Sequence, residues 1–93
     1  MIKPIVLTMM VAGYSLNQWT AAIRHEEGAT YGVGDFSNQK QVCINTVLHK
    51  YKNWLKLRNA IQVPFITYLS TKYCPFNSAS WAHNVQYWLT KGE

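Results

Sequence analysis

Apolar positions along most of this chain recur at helical spacing, and short punctuating residues separate the runs. Pro4 suits the first turn of a helix, where its missing N–H costs nothing. Residues 4–12 then run apolar until Gly13, a good helix terminator, so the pattern predicts a buried first helix over 4–12. A second helix starts after Ser15 and runs to about Glu27. Leu16, Trp19, Thr20 and Ile23 recur on one face, Ala21 and Ala22 favour the helix, and Gly28 ends it. The run ATYGVGDFS predicts a short hairpin or loop near 29–36. Ser37 or Asn38 then caps the longest helix, over about 38–58. Its stripe reads Val42, Cys43, Thr46, Val47, Tyr51, Trp54, Leu55 and the stem of Arg58. Pro64 opens a fourth helix, PFITYLSTKYC, striped with Phe65, Ile66, Leu69 and Tyr73. It stops before Pro75, because a residue preceding proline avoids the α region. Ser78 or Ser80 caps the last helix, with Trp81, Val85, Trp88 and Leu89 on one face and Gly92 at its end. The whole reads as a mainly α chain, a compact bundle of about four to five helices.

Ninety-three residues set the expectation of one domain over 1–93. Four Trp, six Tyr and three Phe bury a large area per residue, which a domain this small needs. With 48% of residues hydrophobic, some apolar surface stays exposed in a groove or against a partner. Nine basic residues against four acids give a net charge of +5. That charge favours anionic partners such as nucleic acid, acidic lipid or the anionic polymers of a cell wall, and it equally serves solubility alone. The start, MIKPIVLTMMVAGYS, superficially resembles a secretory signal. Its apolar run is too short to span a membrane and carries no A-x-A site, so it reads as a buried helix, and no membrane span is expected. Cys43 and Cys74 form no CxxC pair and the three His are scattered, so neither a metal site nor a cofactor is expected. The two cysteines form either a disulfide, adding about 3–4 kcal/mol on the chain-entropy model, or two free thiols.

The acids narrow the chemistry. Glu26, Glu27 and Asp35 lie within ten residues of one another, and the fourth acid is Glu93 at the C-terminus. A mechanism needing a buried carboxylate must use one of the first three. Glu26 and Glu27 fall in the last turn of a helix, where the dipole disfavours negative charge. A feature that local physics disfavours often marks function. Glycosidases need two carboxylates flanking the scissile bond, which Glu27 and Asp35 could supply; a lone Glu suffices where the substrate's own N-acetyl group attacks. The plainer alternative is that these acids pair with Arg24, Lys40 or His25 at the surface. His25 points away from its neighbours on a helix and reads as structural, as do His49 and His83. No phosphate-binding glycine loop is present. Lys50, Lys52, Lys56 and Arg58 interleave with Tyr51 and Trp54, a pattern that serves nucleic acid, a sugar groove or simply a solvated basic face. No helix carries a convincing base-reading face, so nucleic-acid binding ranks last.

The runs AAIRHEEG-x-x-YGVGDF, CINTVLHKYKNWL, FITYLSTKYCP and W-A-H-N-V-x-Y resemble small phage and prophage proteins of lysozyme-like type. Those proteins are relatives of the peptidoglycan glucosaminidases, lysozymes and lytic transglycosylases. The resemblance covers roughly residues 14–90 and implies a lysozyme-like helical fold. In that fold the catalytic Glu ends a helix just before a Gly, with a loop or hairpin following. Glu27-Gly28 matches this placement, so the resemblance implies Glu27 as general acid, within an apolar surround from Tyr31, Tyr73 or Trp81. Glu26 and Asp35 stand beside it as further catalytic candidates. Tyr31, Tyr73, Trp81 and Asn84 would shape the groove for a peptidoglycan glycan strand. The sequence departs from the phage lysozyme pattern in two ways: Asp35 falls one residue short of the expected spacing from Glu27, and no Thr follows at the expected offset. This points to a single-Glu enzyme, or to a lysozyme-like domain that binds without cutting. An enzyme of this kind would act at the periplasm, the cell wall or the virion. The alternative is a non-catalytic phage structural or accessory protein that contacts a virion protein or nucleic acid.

Overall fold

The computed structural model describes residues 9–28 and 38–91. The described chain opens with a tight antiparallel hairpin, β1 (Met10–Val11) and β2 (Tyr14–Ser15), followed by four helices. These are α1 (Leu16–Glu27), α2 (Gln39–Ile61), α3 (Phe65–Tyr73) and α4 (Ser78–Lys91). The mainly helical expectation holds, with four helices among the described residues.

The hairpin replaces the end of the helix expected over 4–12. Val11 pairs with Tyr14 and Met10 with Ser15. The turn between them holds Ala12 at φ 51° and Gly13 at φ 92°. Positive φ at both central residues is what a two-residue hairpin turn needs, because it matches the right-handed twist of the strands. Gly13 therefore turns the chain rather than ending a helix. Trp19 fixes the hairpin: its indole Nε1 donates to the Val11 carbonyl at 2.7 Å. The Leu16 amide donates to the Met9 carbonyl at 2.9 Å, so the strand also helps satisfy the start of α1. Residues 4–8, the hairpin or loop expected near 29–36, and Ser37 and Gly92 as caps lie outside the described residues.

Ser15 caps α1 with a capping box. Its hydroxyl accepts from the Gln18 amide, and the Gln18 side chain accepts from the Ser15 amide. Leu16, Trp19, Ala22 and Ile23 on one face of this helix are buried. At the other end Gly28 takes φ 82°, ψ −165°, a region that essentially only glycine occupies.

Helix α2 starts after Asn38 and overruns the expected end, reaching Ile61. It buries Cys43, Ile44 and Val47, with Leu48, Tyr51 and Trp54 packed against the core. Leu55, expected in the stripe, is 40% exposed, and every residue from there to Ile61 is exposed as well. Phe65, at the start of α3, gathers the aromatic core: Trp19, Tyr51 and Trp54 all meet it edge-on at 5.3–5.9 Å. Trp54 also donates to the Val63 carbonyl at 2.8 Å, pinning the link between α2 and α3. Ser78 is already helical in α4, so it lies inside the helix rather than capping it. Trp81, Val85 and Leu89 form the buried face of α4, while Trp88 is half-buried. No helix among the described residues is long and apolar enough to cross a membrane.

Candidate active site at the end of the first helix

Two acids close α1 and both reach across to α4. Trp81 Nε1 donates to Glu27 Oε1 at 2.7 Å, joining residues 54 positions apart. Asn84 Nδ2 donates to Glu26 Oε1 at 3.1 Å. These donors offset the unfavourable position of two carboxylates at the negative end of a helix dipole. Among the described residues, neither carboxylate pairs with Arg24 or Lys40. The Glu27 bond is partly buried and the Glu26 bond is exposed. The first is therefore the stronger tether, since water competes for it less.

Trp81 is only 3% exposed, and its ring lies flat on Tyr73, with centroids 5.0 Å apart and planes within 5°. The Tyr73 hydroxyl in turn meets the Cys43 thiol at 3.7 Å. A continuous chain thus runs from the Glu27 carboxylate through two stacked aromatics to a thiol in the core. Burial pushes the Cys43 thiol up to about 11, against a smaller lowering by its bond to Tyr73. The Tyr73 phenol is held far above its ordinary value. Burial is the main cause, and the neighbouring Cys43 and the charge of Glu27 add to it. Both groups stay protonated through the physiological range and act as packing and hydrogen-bonding elements, not as nucleophiles. Cys43 and the half-buried Cys74 are free thiols.

One oxygen of Glu27 remains available. Its Oε2 takes no hydrogen bond among the described residues, where no buried side-chain oxygen or nitrogen lacks a partner. Oε1 is held while Oε2 keeps its capacity to bond a group from outside the described residues, an arrangement suited to moving a proton.

Glu26, Glu27, Tyr73, Trp81 and Asn84 thus come together at one end of the α1–α4 pair. Tyr31 and Asp35 lie outside the described residues. His25 stacks on Trp88, with centroids 4.0 Å apart and planes within 9°. His49 and His83 are exposed on their helices. The expectation missed Cys43 as the inner end of the site. In the sequence it reads as an apolar position of a helical stripe and as a candidate disulfide partner of Cys74, and nothing local ties it to a tyrosine thirty positions away. No group of His, Cys, Asp and Glu among the described residues could hold a metal ion. No family model, curated protein or solved structure matches the chain.

Proposed function

We propose that the chain is a peptidoglycan-directed glycosidase or lytic transglycosylase of phage or prophage origin, with Glu27 as its general acid. The observation that carries this reading is the divided Glu27 carboxylate: one oxygen fixed by Trp81, the other without a hydrogen bond among the described residues. As general acid, Glu27 delivers a proton to the glycosidic oxygen as the bond to the sugar breaks. Asp35, or the substrate's acetamido group, stabilises the oxocarbenium-like state that results. The Tyr73–Trp81 stack and Asn84 shape the groove beside it. The lysozyme-like resemblance of the sequence supports the same assignment, and the net positive charge favours an anionic wall.

The test is turbidity clearing and muropeptide release from purified peptidoglycan, with wild type beside Glu27→Gln and Glu26→Gln. Loss confined to Glu27→Gln, by about 100-fold or more, is expected of a general acid. Anhydro-sugar ends among the products would identify a lytic transglycosylase. A folded wild type that cleaves no wall substrate overturns the enzyme reading. It would favour the second reading, a virion or accessory protein, for which the exposed Leu55, Leu57 and Ile61 beside Lys56 and Arg58 on α2 form a contact surface.

A further inference from the structure

An indole N–H lies in the plane of its ring, so whatever fixes that plane also fixes where the bond points. Trp81 donates to Glu27 at 2.7 Å, and such a bond weakens steeply once the donor turns away from its acceptor. The last torsion of a tryptophan side chain is broad, so the side chain's own rotamer does not hold the ring to one plane. Tyr73 of α3 does hold it. Its ring is parallel to the indole within 5°, with centroids 5.0 Å apart. Tilting the indole would press one edge into the phenol ring and open a gap at the other, and a packed interior resists both. Tyr73 is in turn anchored at its far end, where its hydroxyl meets the Cys43 thiol of α2 at 3.7 Å. Cys43 is wholly buried, so that anchor belongs to the core and not to the surface. The acid at the end of α1 is thus oriented by one residue from each of the other three helices in series.

We propose that Tyr73 is a positioning residue for Glu27: its ring face sets the plane of Trp81, and the Trp81 N–H then holds one oxygen of the acid. The geometric part stands on the described contacts alone, while its consequence for catalysis rests on the wall-cleaving reading. In that reading Tyr73 serves the proton-transfer step more than the hold on the strand. Loss of a group that aims the acid lowers kcat, whereas loss of a group that grips the strand equally before and during reaction raises KM.

The experiment follows hydrogen exchange at the indole N–H groups by nitrogen-15 NMR in wild type, Tyr73→Leu and Tyr73→Phe. The Trp81 resonance is assigned as the one that Trp81→Phe removes. Trp19 and Trp54 serve as internal references, because their indoles donate to the Val11 and Val63 carbonyls at 2.7 and 2.8 Å, away from Tyr73. A general loss of stability speeds all three, whereas loss of positioning speeds Trp81 alone. Tyr73→Leu removes the flat face and should speed exchange at Trp81 by about tenfold or more relative to the two references, as expected for weakening one hydrogen bond to a charged group. Tyr73→Phe keeps the face and should restore the wild-type rate. Equal acceleration of all three indoles, no acceleration at Trp81, or Tyr73→Phe as fast as Tyr73→Leu overturns the assignment. On purified peptidoglycan, Tyr73→Leu should lower kcat by about tenfold or more with KM little changed. A rise in KM alone would show that Tyr73 grips the strand and would also overturn it. A wild type that cleaves no wall substrate, yet shows the selective response at Trp81, would sink the enzyme reading and leave the positioning of Glu27 by Tyr73 standing.

Discussion

Trp81 serves two roles with one side chain: its ring fills the core against Tyr73, and its single N–H holds Glu27. Phenylalanine at this position keeps most of the ring packing and deletes the donor. Trp81→Phe should therefore stay folded by circular dichroism and lose about 10–100-fold in wall cleavage, the worth of one hydrogen bond to a charged group. Unchanged cleavage would show that Glu27 needs no such tether. Cys43 makes a different prediction, about pH. Its thiol titrates near 9.0 when unfolded and near 11 in the core. A raised value means that folding favours the protonated form. This contribution to stability is whole below pH 9 and is lost as pH rises to 11, about 2–3 kcal/mol in all. Tyr73 adds to the same alkaline loss above its ordinary value of 10.0. Cys43→Ala should flatten the fall in urea midpoint between pH 9 and 11 relative to wild type. Parallel curves would show that the thiol does not carry it.

At the scale of elements, α1 is defined by its two ends. Ser15 and Gln18 close the start, and Gly28 closes the finish with a backbone conformation that a Cβ disfavours. Nothing among the described residues lies within 4 Å of a Cβ built on Gly28, so Gly28→Ala tests its backbone conformation. It should cost about 1–3 kcal/mol in denaturant melts, and it should blunt cleavage as well by re-aiming the adjacent Glu27. These ends were legible in the sequence because caps are local: Ser15 and Gly28 mark the bounds of α1 without help from the rest of the chain. Pro64 and Pro75 marked α3 for the same reason. The hairpin at Met10–Ser15 was not legible, since a continuous apolar run reads equally as a buried helix. What decides it is Trp19, which claims the Val11 carbonyl from eight residues away. The end of α2 misled in the opposite direction: Leu55 sits at helical spacing, but it and the residues after it to Ile61 are exposed. Periodicity shows which face is apolar and says nothing about where the partner ends. The site was half legible. Helical spacing and the lysozyme-like resemblance pointed to Glu27, Trp81 and Tyr73, whereas the Cys43 thiol behind Tyr73 joins them only through a contact thirty positions apart.

At the scale of the molecule, charge is arranged unevenly. Both described acids, Glu26 and Glu27, sit at the α1–α4 junction, and the basic residues spread over the other surfaces. Several of these cations lie over aromatic rings: Lys50 over Tyr68, Arg58 over Trp54, and Lys91 over Tyr87 and Trp88, at 5.3–5.9 Å. Such contacts keep the charge at the surface while covering apolar rings, at about 0.5–1 kcal/mol each where exposed. A polyanion would therefore find favourable charge on the described helices and meet the described carboxylates where cleavage is proposed. Nearly all of the chain must also be present before that end of the molecule takes shape. Glu27 is made early in synthesis, while Trp81 and Asn84 arrive 54 and 58 residues after the acids they hold. A nascent chain, delivered N-terminus first, thus carries its carboxylates untethered until α4 emerges and docks. The acid proposed to act is therefore held in place only once α4 has docked on α1.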